Sequence, residues 1–134
     1  MAKESGLGAT VSVDDSAGTL RDISNDVTDF SIDTPRAEQV TTGVDKSATE
    51  RLQLFADGTF TMNGIFNDAA NKSHAVLKNV SSTSVVRTVT IAISGQTLSM
   101  EMVIGNYSLS RSASGELTWS APCALADGTV PTWS

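Results

Sequence analysis

From Arg87 to Gly105, RTVTIAISGQTLSMEMVIG, apolar and polar residues alternate on both sides of a glycine, the period-two pattern of a β-hairpin. A two-residue turn at Gly95 and Gln96, glycine first, sets Ile93 opposite Leu98, Ile91 opposite Met100 and Val89 opposite Met102. That row is wholly apolar. The reverse face pairs Ala92 with Ser99, Thr90 with Glu101 and Thr88 with Val103, and a one-residue slip puts the aliphatic row in water, so the faces are strongly specified. The hairpin therefore belongs in a sheet packed on a core by one side. Its other side carries small, mostly hydroxyl-bearing groups that face water or a neighbour.

The same alternation marks further strands at Ala9–Val13, Thr19–Ile23, Val27–Asp33 and Tyr107–Arg111, with a turn over Asp14, Asp15, Ser16, Ala17 and Gly18. In ERLQLFADGTFTMNGIFN, a three-residue loop at Ala56, Asp57 and Gly58, glycine left-handed, sets Leu54 opposite Phe60 and Leu52 opposite Met62. The tetrapeptide ADGT recurs at Ala126–Thr129, where the equivalent turn brings Ala121 near Trp133 and Cys123 near Pro131. One helix is predicted in NDAANKSHAVLKN: Asn67 or Asp68 caps it, Ala70, His74 and Leu77 share a stripe, and Asn79 ends it in a left-handed conformation. Many short strands with DG, SG and AG turns and a single short helix indicate a mainly β fold, an antiparallel β-sandwich or barrel.

The length of 134 residues fits one domain over 1–134, with a small polar N-terminal arm at 1–8 and a long loop at 34–49. Ser and Thr supply about a quarter of the chain, and the formal charge is -6. That balance argues against gripping a nucleic-acid backbone, which takes clustered Lys and Arg. No apolar run reaches membrane length, and MAKESGLGATVSV has no hydrophobic signal region, so neither a membrane partner nor a cleaved signal is expected. Asp14, Asp15, Asp22, Asp26, Asp29 and Asp33 crowd one region. Their spacing is not that of a calcium loop, and a solvated acidic face is the better reading.

Catalytic chemistry finds little to work with. His74 is the only histidine and Cys123 the only cysteine, and Cys123 sits in the apolar pattern APCAL, where a thiolate has no electropositive neighbour. The two residues cannot assemble a zinc site, and Glu101 has no second carboxylate placed for glycoside hydrolysis. The expectation is therefore no enzyme, no metal and no cofactor, with both residues structural.

Other features suit assembly. TPRAEQVTTGVDKSAT, 34–49, lacks a clean period, carries both signs of charge and exceeds the roughly 12 to 15 residues usual for unstructured loops; an arm reaching a partner subunit and a plain surface excursion both fit it. Pro122 and Pro131 cannot donate ladder hydrogen bonds, which predicts edge strands, and Trp133 is a large ring wanting a cover.

The order VTDFSIDTPRAEQ, a loop, LFADGTFTMNGIFN, a helix with SHAVLKN, LSMEMVIGNYSLSR, and GELTWSAP ending in DGTVPTW resembles the major tail (tail tube) proteins of long-tailed bacteriophages, particularly those of actinobacterial hosts. The resemblance spans nearly the whole chain and rests on the order of structural phrases. It implies a virion protein, assembled in the host cytoplasm, whose homohexameric rings stack into a hollow tail tube. The tape-measure protein and transiting genomic DNA occupy the lumen without sequence-specific binding, and tail terminator and distal tail proteins adjoin the tube. On that reading Thr88, Thr90, Ser99 and Glu101 line the lumen, while Arg36, Glu38, Asp45, Lys46 and Trp133 make contacts between subunits or rings. A capsid decoration protein, a tail terminator and a small carbohydrate-binding β-sandwich are the alternatives.

Overall fold

The computed structural model describes residues 3–134; Met1 and Ala2 of the expected N-terminal arm lie outside the described residues. Among the described residues ten strands form: β1 Thr10–Asp14, β2 Leu20–Asp22, β3 Val27–Asp33, β4 Arg36–Val40, β5 Arg51–Ala56, β6 Thr59–Ile65, β7 Arg87–Ile93, β8 Gln96–Ile104, β9 Ser108–Arg111 and β10 Leu117–Leu125. A 3-10 turn covers Ser24–Asp26, and one short helix, α1, covers Ser73–Leu77. All strand pairings are antiparallel. The main sheet runs β2-β1-β7-β8-β10-β6-β3, with β9 beside the first part of β10, and β4 and β5 form a separate pair.

Alternate residues make the core. Val11 and Val13, Phe60 and Met62, Val89 and Ile91, Leu98, Met100 and Met102, and Trp119, Ala121 and Cys123 all point inward and are buried. Strands β1 and β6 are four places apart in the sheet, roughly 19 Å if it were flat, yet their side chains share one cluster. The sheet therefore curls over itself. Ile23, Val76 and Leu77 close the cluster, each such side chain contributing about 1.5–3 kcal/mol of apolar transfer before chain entropy is counted.

The β7–β8 hairpin keeps the expected faces with a different turn. Ser94 and Gly95 occupy it, at φ 49° and 81°, so Ile91 faces Leu98 and Val89 faces Met100, a register two residues from the expected one. Two consecutive positive φ angles match the right-handed twist of the strands, and that outweighs the serine's steric cost. A shift of two leaves every side chain on its predicted face.

Elsewhere the pairing departs from expectation. Ala56, Asp57 and Gly58 do not turn the chain back: β6 lies between β10 and β3, so both its edges are taken, and β5 runs on to pair with β4. Part of the expected loop at 34–49 is thus strand β4. Its tip closes through Thr41 N–H to the Glu50 carbonyl. The ribbon β3–β4 against β5–β6 is broken at one level, by Pro35 on one leg and Asp57–Gly58 on the other, where Asp57 N–H donates to the Pro35 carbonyl.

The second ADGT turn does place Gly128 at φ 78°, but no strand returns beside β10: Ala121 pairs with Met62, Cys123 with Phe60 and Ile104, and Trp133 lies opposite Leu98. Nor is β10 an edge strand. Pro122 is tolerated inside the sheet because its carbonyl, and hence its missing N–H, faces the gap where β10 changes partner from β9 to β8; Gly105 N–H fills the acceptor.

The helix is shorter than predicted. Asn71 takes a left-handed φ of 63° and stops any start at Asn67 or Asp68, while Asn79 stays outside the left-handed region. The cap comes from afar: buried Asp26 accepts Ser73 N–H and the Asn67 amide.

Candidate assembly surfaces

The hairpin's outward row brings the four expected residues together. Thr88 Oγ1 donates to Glu101 Oε1 at 2.5 Å, and the Thr90 and Ser99 hydroxyls lie 3.2 Å apart. Strand pairing extends this face: Asp22 sits beside Ser12, Ser12 beside Thr90, and Thr90 beside Ser99, a polar row across β2, β1, β7 and β8. Asp14 Oδ2 accepts Thr88 N–H and adds a second carboxylate next to Glu101's partner. Ser12 and Asp14 were missed in the sequence, although their alternation with Val11 and Val13 carries the signal. A second hydroxyl-rich face lies across β9, β10, β6 and β3, where Thr28, Asp29, Asn63, Ser110, Thr118 and Ser120 line a shallow groove.

The β4–β5 hairpin is the least covered part of the molecule. Every residue of β4 is exposed, and so are all of β5 save Ala56. It carries Phe55 at 86% exposure and Leu52 at 54%, with Val40 also open. A two-stranded hairpin is marginal alone in water. Its charges balance: Arg36, Lys46 and Arg51 against Glu38, Asp45 and Glu50. Lys46 reaches Asp45 and Glu50, each at 3.9 Å, and Arg36 Nε donates to the Leu54 carbonyl, with no carboxylate partner among the described residues. The structure thus gathers Arg36, Glu38, Asp45 and Lys46 on one projecting arm. Trp133 is elsewhere, 44% exposed beside β8. The aliphatic row Leu52, Leu54, expected opposite Met62 and Phe60, has the period of a half-buried strand, and sequence alone does not say which partner buries it.

The acidic cluster has been put to structural use. Asp15 accepts Ala17 N–H, Thr19 N–H and Arg21 Nε, and these bonds, Thr19's foremost, hold its carboxyl below the usual range. Asp22 is lowered likewise, chiefly by the Ser24 hydroxyl. Among the described residues no three His, Cys, Asp or Glu side chains converge on a metal-sized site.

His74 and Cys123 are each engaged separately. His74 Nδ1 lies 3.1 Å from the Tyr107 hydroxyl in a line of rings running Phe66, His74, Tyr107, Trp119. Cys123 is buried, and burial pushes its thiol up to about 12, the opposite of a nucleophile's tuning. Arg87, which sequence reasoning passed over, has the parity of Val89 and Ile91 and is buried with them. Its Nη1 donates to the Val76 and Asp14 carbonyls, and burial lowers its pKa. Arg87 holds α1 against the sheet.

No family model and no curated protein sequence matches the chain. Solved structures do. A chain of the virion of a native gene transfer agent particle superposes with a TM-score of 0.80 at 14% identity, covering 98% of this chain and 99% of that one. A chain from the tail of an empty gene transfer agent particle, solved with C6 symmetry, superposes with a TM-score of 0.77 at 15% identity, covering 98% of both. The fold is that of these particle chains over essentially its full length.

Proposed function

We propose that this chain is a non-enzymatic structural subunit of a phage-like tail, and that six copies close into a ring whose stacking builds the tail tube, the conduit for genome DNA. The observation that carries the reading is the end-to-end likeness to a chain from a C6-symmetric tail. The uncovered arm supports it: a projecting hairpin with exposed Leu52 and Phe55 and balanced charges is suited to packing on another copy. On this reading Arg36, Glu38, Asp45 and Lys46 lie at contacts between subunits or rings, and the row Thr88, Thr90, Ser99, Glu101 faces the lumen. A wall of hydroxyls and carboxylates stays hydrated and repels phosphate, so DNA passes without being held. Tape-measure protein, tail terminator and distal tail proteins are the other expected partners, and the virion tail is the expected location.

Negative-stain microscopy of the purified protein over a concentration series, with light scattering for mass, tests this. Hollow tubes with sixfold end views are expected. Discs that never stack point to a terminator or decoration protein, and a concentration-independent monomer that a tail initiator also fails to polymerise overturns the reading.

A further inference from the structure

Strand β8 has one edge paired with β7 from Gln96 to Met102 and the other edge only partly closed. With Ser94–Gly95 as the turn, alternate residues of β8 bond to β7, and Thr97, Ser99 and Glu101 direct their backbone groups the other way. Strand β10 covers that side only at Met102–Ile104. Beyond it the chain leaves through Ala126, whose N–H donates to the Glu101 carbonyl, swings out around Asp127–Gly128, and comes back so that Thr97 and Ser134 exchange two backbone bonds of 2.9 Å. Ser99, between them, lies opposite Thr132 and is covered by no strand of the sheet on that side among the described residues.

What lies under this segment is core. Leu98 is fully buried and Met100 nearly so, and Trp133, opposite Leu98, shares its face. Pro131 closes the same opening: a Cβ on Gly58 would lie 3.3 Å from both Met100 Sδ and Pro131 Cγ. Gly58 is where the arm joins the body. Segment 126–134 thus covers an apolar strand edge and the root of the arm together, held by the Ala126 bond at its start and one bridge at its end, with Trp133 still partly in water.

We propose that segment 126–134 is a displaceable strap over the edge of β8, and that the strand replacing it belongs to a second copy of this chain. This rests on the assembly reading above. The strand that fits is β5, whose outer edge is unpaired among the described residues and whose Leu52 and Leu54 repeat at the spacing of Leu98 and Met100, so that docking would continue the buried row. Until displaced, the strap keeps β8 from pairing with whatever strand it meets.

The test compares the full chain with a variant lacking residues 130–134 and with Trp133→Ala, by sedimentation across concentration and by amide exchange. Loss of the strap is expected to bring self-association at about tenfold lower concentration, the effect of removing roughly 1.4 kcal/mol of competition. The Thr97 and Ser99 amides should become protected only in the associated fraction. An unchanged onset in Trp133→Ala, or association with the Ser99 amide still exchanging freely, overturns the strap. Exchange on assembled full-length protein needs no variant: a Ser134 amide that stays protected there also overturns it. Strapless chains that pair through β8 and never close into rings uphold the strap and sink the tube, whereas sixfold tubes with the strap still seated do the reverse.

Discussion

Gly64 lies directly against the indole of Trp119: a Cβ built on the glycine would fall 2.6 Å from Cζ2 and would also strike the Asp26 carbonyl. The two are paired across β6 and β10, and the Trp119 Nε1–H donates to the neighbouring Ile65 carbonyl, so the ring has no freedom to retreat. Gly64→Ala is expected to destabilise the fold by about 1–3 kcal/mol or more, the cost of overpacking a rigid contact. Urea denaturation measures it. Gly6→Ala, where a Cβ meets nothing, serves as the neutral control.

Arg87 should be at least as sensitive, for a different reason. Val76 belongs to the last turn of α1, and its carbonyl depends on the guanidinium as a cap. Arg87→Ala removes both the cap and a large buried volume, costing about 3 kcal/mol or more; Arg87→Met keeps most of the volume and should cost about 1–2 kcal/mol for the unpaired carbonyl. Melting of the two variants checks the order, and Ala no worse than Met would refute the capping role.

Cys123 links stability to alkaline pH. Its thiol is pushed from an ordinary 9.0 up to about 12 in the folded chain, so the folded state keeps a proton that the unfolded state has lost. The contribution is complete below about pH 9 and declines as pH rises toward 12. Tyr107, also raised by burial, acts in the same direction, so the diagnostic is the difference between wild type and Cys123→Ala. The urea midpoint of wild type should fall more steeply between pH 8 and pH 10.5 than the variant's. Native protein should also resist thiol reagents at pH 8 and react once unfolded; prompt native reaction would contradict the burial.

The arm separates folding from assembly. Phe55 and Leu52 touch solvent in the single chain, so Phe55→Ser and Leu52→Ser should leave the melting temperature within a degree or two and abolish ring or tube formation. Charge reversal at Arg36 or Lys46 should impair tube growth with the monomer still folded. Tubes of normal length in all four variants would remove the arm from the interface.

Much of this fold could be read from alternation. Val27–Asp33 is a strand with the bounds predicted, and both faces of the β7–β8 hairpin hold, because face is a property of parity alone. Register was two residues off because SGQ offers two turns that alternation does not separate. Pairing partners were harder: ADG looks like a hairpin loop, and only the occupied edges of β6, set by residues far along the chain, show that β5 must pair with β4. The helix was overextended because a left-handed Asn71 and a cap from Asp26 are tertiary features. Of the candidate surface, the row Thr88, Thr90, Ser99, Glu101 was legible and its continuation onto Ser12 and Asp14 was not, since it depends on β1 pairing with β7.

The polar wall carries the last prediction. If the row on β7 and β8 faces a DNA-conducting lumen, its chemistry matters only when rings form. Glu101→Lys changes the charge by two units per subunit, and the ring multiplies that around a narrow bore, where potentials add. Glu101 is only partly buried and its carboxylate is held by Thr88 alone among the described residues, so the lysine can extend into solvent and tubes should still grow. The variant tubes are expected to bind short duplex DNA, with affinity falling steeply as salt rises, while wild-type tubes and the variant's own monomers bind little. Anisotropy with labelled DNA across a salt series reads this directly. Equal, weak binding by variant and wild-type tubes would place the row on the outer wall and turn attention to the hydroxyl face over β9, β10, β6 and β3.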